Sequence, residues 1–352
     1  MYPGPKELTP RRLALLLGLM AGLAVLTVWR LGSAPRGLVL EFAGQTMGST
    51  YSVKVARPPR GLAKETLRDA IQARLDRVEA LMSTYRPESE LSRFNASQSD
   101  APFTLNEETF EVFTMAQRVS EESGGAFDVT VGPLVNAWGF GPDGTTDPPS
   151  DAQIEELRAR VGYRLIEIDA ASHTIRKLRP DVYCDLSAIA QGFGSDEVAE
   201  ALEALGVENY MVDVSGDIRA RGTNARNGPW VIGIERPIDG IERSVQRIVP
   251  LADMAMTTSG DYRNYREIDG KRVSHEIDPH TGSPIAHGLA SVTVFHPVCA
   301  MADAYDTALI VLGEEAGMAL ADQLGLPVLM IVRTPNGFEE RTNAAFDAML
   351  PH

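Results

Sequence analysis

The sequence predicts an α+β fold with mixed or antiparallel sheets and flanking helices, preceded by an N-terminal hydrophobic anchor. Helical and strand-like patterns both occur, but they do not alternate regularly, which argues against a doubly wound parallel sheet. Many strand-like runs alternate apolar and polar residues, as half-buried antiparallel strands do. The 352 residues, 44% of them apolar and 23% charged, suffice for one large domain or two medium ones. This composition excludes the collagen-like, disordered and disulfide-scaffold classes.

Hydrophobic spacing and glycine boundaries predict five helices. In the first of them, Leu67, Ile71 and Leu75 recur at intervals of four residues and mark one apolar face. The predicted helices span residues 61–85, 107–123, 151–161, 195–205 and 303–324. Short β-rich runs are predicted at residues 51–55, 165–168, 210–214, 230–234, 290–295 and 328–332.

The N-terminal 31 residues predict a signal anchor in the cytoplasmic membrane. Arg11 and Arg12 precede an uncharged, mostly apolar run at 13–29, whose length is at the lower limit for spanning a bilayer. Because the basic residues come before the run, the N-terminus should stay in the cytoplasm and the rest should be exported to the periplasmic side. A cleaved signal peptide is the alternative. We expect a linker at 32–37 and a folded domain at 38–350.

Charge and cysteine usage narrow the function classes. The net charge of −15 and the lack of a Lys/Arg block argue against a nucleic-acid partner. Cys184 and Cys299 form no zinc pattern, and their pairing stays open, with two buried small apolar residues as the simpler expectation. No strand leads into GxGxxG and no GxxxxGK[ST] occurs, so a bound nucleotide would need a different kind of phosphate-binding site.

Asp303, Asp306 and Thr307 form the densest candidate site, near the start of the last predicted helix. Their spacing of i, i+3 and i+4 places two carboxylates and a hydroxyl on one helical face. Hard oxygen ligands of this kind suit Mg²⁺. Acidic residues near a helix N-terminus also complement the helix dipole without any metal, and spacing alone leaves both interpretations open.

Three further segments carry candidate residues. Asp185 follows a β-like run at 181–184, which would place its carboxylate at a strand end, or else in a polar turn that caps a helix. His275 precedes a tight turn at 278–282, as a general base, a phosphate contact or a structural histidine. The third segment, at 124–141, is rich in glycine and aromatic residues. Its glycines would let the backbone approach a ligand closely, and its aromatic rings could stack on a flat ring or fill the core.

These segments, together with several others, resemble the ApbE family of FAD:protein FMN transferases. The matching motifs appear in the family's order from about residue 44 to 334. They are Gln-Thr-Met-Gly-Ser-Thr-Tyr at 45–51, Ser-Thr-Tyr-Arg at 83–86, Ser-Arg-Phe-Asn at 92–95, the segments at 124–141, 185–192 and 274–282, Val-Ser-Gly-Asp at 214–217, and 302–313. The resemblance implies a single α+β domain of the T-fold-like ApbE type, with FAD in a cleft.

The resemblance also implies site residues. The FAD contacts it carries over are Met47, Tyr85, Ala126, Phe127, Asp128, Asp185, Gln191 and Ile277. It assigns Mg²⁺ to Asp303, Asp306 and Thr307, joined by the backbone carbonyl of Ala188. Many family members have Lys or Glu where this chain has Gln191, so a charge-dependent role is in doubt there, although an amide still forms hydrogen bonds.

The activity implied by the resemblance is Mg²⁺-dependent transfer of FMN from FAD to a threonine or serine hydroxyl, with release of AMP. His275 is expected to act as the general base or as a phosphate contact, with an Asp as the alternative base, and Asp303 to hold the metal at the reacting phosphate. The acceptor would be an exported flavoprotein, such as a subunit of a membrane redox complex. Three alternatives stay open: a Mg²⁺-dependent FAD pyrophosphatase, a flavin-binding carrier without turnover, and a structural assembly factor.

Overall fold

The computed structural model describes residues 37–141, 147–238, 244–262, 264–268 and 271–350. The predicted anchor at 1–31 lies outside the described residues, as does the linker apart from Gly37. Within the part of the chain that is described, no helix combines the length and the hydropathy needed to cross a bilayer.

The helices flank a large sheet and several small ones. The helices are α1 (Lys64–Met82), α2 (Glu90–Ala96), α3 (Glu107–Glu122), α4 (Gly132–Ala137), α5 (Asp151–Arg158), α6 (Ser187–Ala204), α7 (Cys299–Leu324) and α8 (Ala344–Met349), with a 3₁₀ turn at Tyr163–Leu165. The strands are β1 (Val39–Thr46), β2 (Ser49–Ala56), β3 (Phe103–Thr104), β4 (Ile166–Asp169), β5 (Thr174–Lys177), β6 (Tyr210–Val214), β7 (Asp217–Arg221), β8 (Trp230–Glu235), β9 (Val245–Leu251), β10 (Met254–Gly260), β11 (Tyr265–Ile268), β12 (Lys271–Ser274), β13 (Ile277–Asp278), β14 (Ser283–Pro284), β15 (Leu289–His296), β16 (Val328–Thr334) and β17 (Gly337–Thr342).

One eight-stranded sheet organises the molecule, in the order β1-β2-β6-β7-β10-β15-β16-β17. Each neighbouring pair in it is antiparallel. The prediction of an α+β fold built on antiparallel strands is therefore confirmed. The six predicted strand runs all form strands, with ends within two residues of the expected positions.

The two faces of this sheet are covered differently. Because side chains alternate along a strand, β16 directs Met330 toward the helices and Leu329 and Ile331 to the other face. Helices α1, α6 and α7 pack on the first face. The second face is covered by the two-stranded ribbon of β8 and β9 together with α8. The structure thus has a helical layer, a sheet and a smaller β layer.

Two predicted elements are wrong in ways that matter for the site. The run at 181–184 forms no strand, so Asp185 does not end a strand. Helix α6 begins at Ser187, eight residues before the predicted start, and continues through Gly192 and Gly194. The glycines that suggested a turn serve packing instead, because a Cβ at Gly192 would lie 2.6 Å from the carbonyl oxygen of Cys299 on α7.

Candidate functional site

Three carboxylates meet where β7, β10 and α7 converge. Asp217 is the first residue of β7, while Asp303 and Asp306 lie near the start of α7. One carboxylate oxygen from each lies within 4.8 Å of the other two, and all three residues are buried. The Ser259 hydroxyl at the end of β10 donates to Asp306 Oδ1 at 2.9 Å and lies 3.4 Å from Thr307 Oγ1. The structure thus unites the three predicted side-chain ligands and adds Asp217.

Burial raises the pKa of every carboxyl group in this cluster. The pKa of Asp303 rises to about 7, although the Gly192 N–H that donates to its Oδ2 at 2.9 Å opposes the rise. Burial, reinforced by the charge of Asp303, raises the pKa values of Asp306 and Asp217 well above their usual range. The other charges acting on Asp217 are also carboxylates. Such a cluster gains most from a bound cation, so the residues fit a divalent metal ion.

The first turn of α6 brings a backbone carbonyl to the same place. Ala188 has non-helical dihedral angles, with φ −84° and ψ 16°. The Gly192 N–H, four residues further along α6, donates to Asp303 Oδ2. Ala188 lines the cavity described next, together with the three carboxylates. Its role as a metal ligand stays a prediction.

The cluster lies in a cavity of about 850 Å³. Every site residue expected from the sequence lines this one cavity: Met47, Tyr85, Ala126, Phe127, Asp128, Asp185, Ala188, Gln191, His275, Ile277, Asp303, Asp306 and Thr307. Its described lining includes seven carboxylates and one guanidinium, that of Arg86, which is itself paired with Glu79. A phosphate-bearing ligand would therefore meet strong repulsion here, unless a metal ion offset the negative charge.

Met47 reaches the cavity from a tight hairpin between β1 and β2. Met47 and Gly48 have φ angles of 49° and 70°, the left-handed pair typical of a two-residue type I′ turn. The Met47 N–H donates to Glu79 Oε1 at 2.7 Å, which ties the turn to α1. Tyr85 lies after the same helix and is 71% exposed, so its ring stands at the rim and is open to a ligand.

Asp128 and Asp185 line the cavity but also brace its walls. Asp128 Oδ1 accepts hydrogen bonds from the N–H and hydroxyl of Thr130 at 2.8 and 2.6 Å, and its Oδ2 accepts from the Tyr163 N–H at 2.7 Å. Asp185 Oδ1 accepts from the N–H and hydroxyl of Ser187 at 2.9 and 2.7 Å. Asp128 thus connects the segments around Thr130 and Tyr163, and Asp185 binds the first residue of α6.

His275 lies beside a buried carboxylate that the sequence did not single out. Its Nε2 is 3.3 Å from Glu276 Oε1, and its ring packs edge-on against Phe140. Its Nδ1 is buried and has no hydrogen-bond partner among the described residues. Glu276 is 8% exposed, lines the cavity, and has its pKa raised by burial. His275 thus lines the cavity beside a second carboxylate, while its Nδ1 is enclosed by the protein.

Two functional candidates were therefore missed from the sequence. Asp217 belongs to a motif quoted for the resemblance, yet no spacing rule connects it with the last helix. Glu276 occupies the unspecified position of the motif between His275 and Ile277. Its burial results from tertiary packing, which no local pattern predicts. Cys184 and Cys299 are both free and fully buried, as expected of small apolar residues.

Comparison with known proteins gives a consistent result. The model of the ApbE family matches residues 47–330. A protein of Vibrio cholerae serotype O1 named FAD:protein FMN transferase is 46% identical over 313 residues, which cover 88% of this chain and 92% of that protein. A Haemophilus influenzae protein of the same name is 45% identical over 88% of this chain and 90% of its own length.

Solved structures agree with the sequence comparison. The flavin transferase ApbE from Vibrio cholerae superposes with a TM-score of 0.83 at 43% identity, covering 89% of this chain and all of that one. The apo form of the Pseudomonas stutzeri flavinyl transferase ApbE superposes with a TM-score of 0.81 at 40% identity, covering 89% of this chain and 97% of that one. With its fold, its motifs and most of its length shared in this way, the chain belongs to the ApbE family.

Proposed function

We propose that this chain transfers FMN from FAD to a threonine or serine hydroxyl of another protein. The observation that carries the proposal is one cavity lined by the expected flavin contacts, a buried carboxylate cluster and a histidine with an unpaired nitrogen. Relatives at 45–46% identity carry the name FAD:protein FMN transferase, which supports the same activity.

The reaction joins an acceptor oxygen to the phosphorus of the FMN half of FAD. As the new P–O ester bond forms, the P–O bond of the pyrophosphate breaks, and AMP leaves with that electron pair on its phosphate oxygen. We assign to His275 the role of taking the proton of the acceptor hydroxyl, because it lines the cavity and its Nε2 lies beside Glu276. Tyr85 and Met47 contact the flavin at the rim of the cavity.

Mg²⁺ is the cation that we propose for this site. Asp303, Asp306 and Thr307 would hold it together with the carbonyl of Ala188, since hard oxygen ligands suit this ion. When bound, Mg²⁺ offsets the negative charge that develops on the pyrophosphate. Asp217 adds a third carboxylate whose oxygen lies within 4.8 Å of those of Asp303 and Asp306.

The test is intact mass spectrometry of an acceptor domain that contains a threonine, incubated with the full-length chain in detergent and FAD. We expect the acceptor to gain the mass of one FMN moiety with Mg²⁺ and none with EDTA. Release of AMP and free FMN with no labelled acceptor would indicate a pyrophosphatase instead. Stoichiometric FAD binding without AMP would indicate a carrier, and no FAD affinity would indicate an assembly factor.

The location of the enzyme belongs to the same proposal. The apolar run at 13–29, with basic residues before it, supports a retained anchor in the cytoplasmic membrane and a catalytic domain on the periplasmic side. The acceptor is then an exported flavoprotein, for which a subunit of a membrane redox complex is a suitable partner. Recovery of the chain in a salt-washed membrane fraction supports the anchor, whereas recovery in the periplasmic fluid contradicts it.

A further inference from the structure

The β8–β9 ribbon has an apolar outer face as well as an apolar inner one. Trp230 and Ile232 point inward and are buried against the large sheet. Val231, between these two residues on β8, and Ile248 on β9 point outward and are 62% and 66% exposed. A ribbon that covers a sheet and faces water on its other side ordinarily carries polar residues there.

The strand register brings the outward apolar residues together. Val231 pairs with Pro250, and Gly233 pairs with Ile248. Val245, which is 58% exposed, lies over Gly233, because a Cβ built there would be 3.2 Å from its methyl group. These five residues form one patch, called here the ribbon patch, and none of them is charged. Glu235, the cross-strand partner of Val245, borders the patch. In a chain with a net charge of −15, exposed apolar residues gathered in this way mark a surface for docking.

The N-terminal segment joins the folded domain at Gly37, close to the ribbon patch. The Gly37 N–H donates to the carbonyl of Ala225 at 3.0 Å, in the loop that leads directly into β8. The next residue, Leu38, is 63% exposed and adds a further apolar side chain at this junction. The apolar run at 13–29 is therefore joined to the folded domain beside the ribbon. Residues 30–36 can span at most about 25 Å when fully extended, so this end of the domain cannot lie far from that run.

We propose that the ribbon patch rests on the lipid bilayer, so that the catalytic domain docks on the membrane surface with its smaller β layer toward the lipid. The inference rests on the anchor proposed above. Val231, Val245 and Ile248 would sit among the headgroups and upper acyl chains, where exposed apolar side chains gain most. Helices α1, α6 and α7 on the opposite face of the sheet then point away from the lipid.

The test places a fluorescent probe on the patch in the full-length chain. Cys184 and Cys299 are fully buried, so an environment-sensitive dye labels an introduced Ile248→Cys selectively. Glu200→Cys, on the exposed side of α6, is the matched control. Both labelled proteins are reconstituted into phospholipid vesicles, and FAD binding verifies that they are folded.

We expect the probe at 248 to emit at shorter wavelength in vesicles and to be quenched by a lipid-borne quencher, with neither effect at 200. A water-like signal at 248 in protein that remains bound to the vesicles overturns the docking alone. Protein that does not stay with the vesicles refutes the anchor and the docking together. The probe at 248 could instead stay shielded in detergent while chains cross-link to one another. That result would assign the patch to a second copy of the chain and overturn the proposal.

Discussion

The Gly192 N–H donates to Asp303 Oδ2 at 2.9 Å, and a Cβ at Gly192 would lie 2.8 Å from the Cβ of Asp303. Helices α6 and α7 therefore meet without a side chain between them, at the point where the carboxylate cluster is held. This contact ties the packing of two helices to the geometry of the candidate metal site. It explains why a glycine stands inside α6 despite the cost of glycine in a helix.

Replacing Gly192 with alanine should disturb both stability and metal binding. The methyl group would also lie 2.6 Å from the Cys299 carbonyl, so α7 must shift. We expect a loss of about 1–3 kcal/mol in the free energy of unfolding, together with weaker Mg²⁺ binding by calorimetry. Gly228→Ala is the matched control, because its nearest atom, on Asn224, is 3.7 Å away. Equal behaviour of the two variants would show that the close contact is unimportant.

Asp303→Asn should separate metal binding from folding. The amide has nearly the same shape but lacks the negative charge, so the metal-free protein should be as stable as the unaltered chain or more so. We expect FMN transfer to fall by roughly 10²–10³-fold, as for loss of a group that stabilises charge in a transition state. Mg²⁺ should no longer raise the Tm. Asp151→Asn, on the exposed first turn of α5, should change neither quantity. Normal Mg²⁺-dependent transfer by Asp303→Asn would refute the metal assignment.

Mg²⁺ affinity should increase with pH through neutrality. Burial raises the pKa of Asp303 from 3.8 to about 7, so the metal-free folded protein retains a proton that Mg²⁺ must displace. The affinity should rise by up to about tenfold per pH unit for each proton displaced. Because the pKa values of Asp306 and Asp217 are raised as well, the rise should continue above pH 7. Titration calorimetry between pH 5.5 and 8.5 measures this slope. An affinity that is flat across that range would contradict it.

The same pKa shift predicts how the stability of the metal-free protein depends on pH. The folded state binds the Asp303 proton more tightly than the unfolded chain, so this group makes stability fall as pH rises from about 4 to about 7. In EDTA, the Tm of the unaltered chain should therefore drop relative to that of Asp303→Asn over this interval. Parallel Tm curves for the two proteins would show that Asp303 does not titrate in this window.

Tyr85→Ala should weaken FAD binding without affecting the fold. The ring is 71% exposed and contributes little to the core. Loss of an aromatic contact of about 0.5–1.5 kcal/mol should raise the KM for FAD by roughly 2- to 12-fold. Steady-state kinetics and Tm measurements check both parts. Tyr85→Phe, which keeps the ring, should retain the KM, and a similar rise in both variants would assign the effect to the hydroxyl.

Glu276→Gln should lower the rate by acting through His275. Its carboxylate lies 3.3 Å from His275 Nε2 and is absent from the expected flavin contacts, so kcat should fall while the KM for FAD stays the same. The loss should be smaller than the roughly 10²–10⁴-fold contribution of a general base. In a His275→Ala background, Glu276→Gln should have little further effect. Additive losses would show that Glu276 acts independently of His275.

Most of the fold and most of the site could be inferred from local sequence patterns. The alternation of apolar and polar residues along β2, and the spacing of Leu67, Ile71 and Leu75 in α1, follow from backbone period and hydrophobic burial. The i, i+3, i+4 spacing likewise placed Asp303, Asp306 and Thr307 on one face before any packing was known. The start of α6 was misplaced because glycine usually marks a turn, whereas here it permits close approach to α7.

The sequence by itself determined which chemical groups are present and which share a helical face or a strand. The meeting of Asp217 with Asp303 and Asp306 was decided only by the tertiary structure, since β7 and α7 are brought together by the sheet order and not by any local period. The raised pKa of Asp303 and the pairing of His275 with Glu276 were decided in the same way. The first of these three properties depends on distances between elements remote in the chain. The other two depend on burial and on side-chain orientation, which are fixed only when the core closes around these groups.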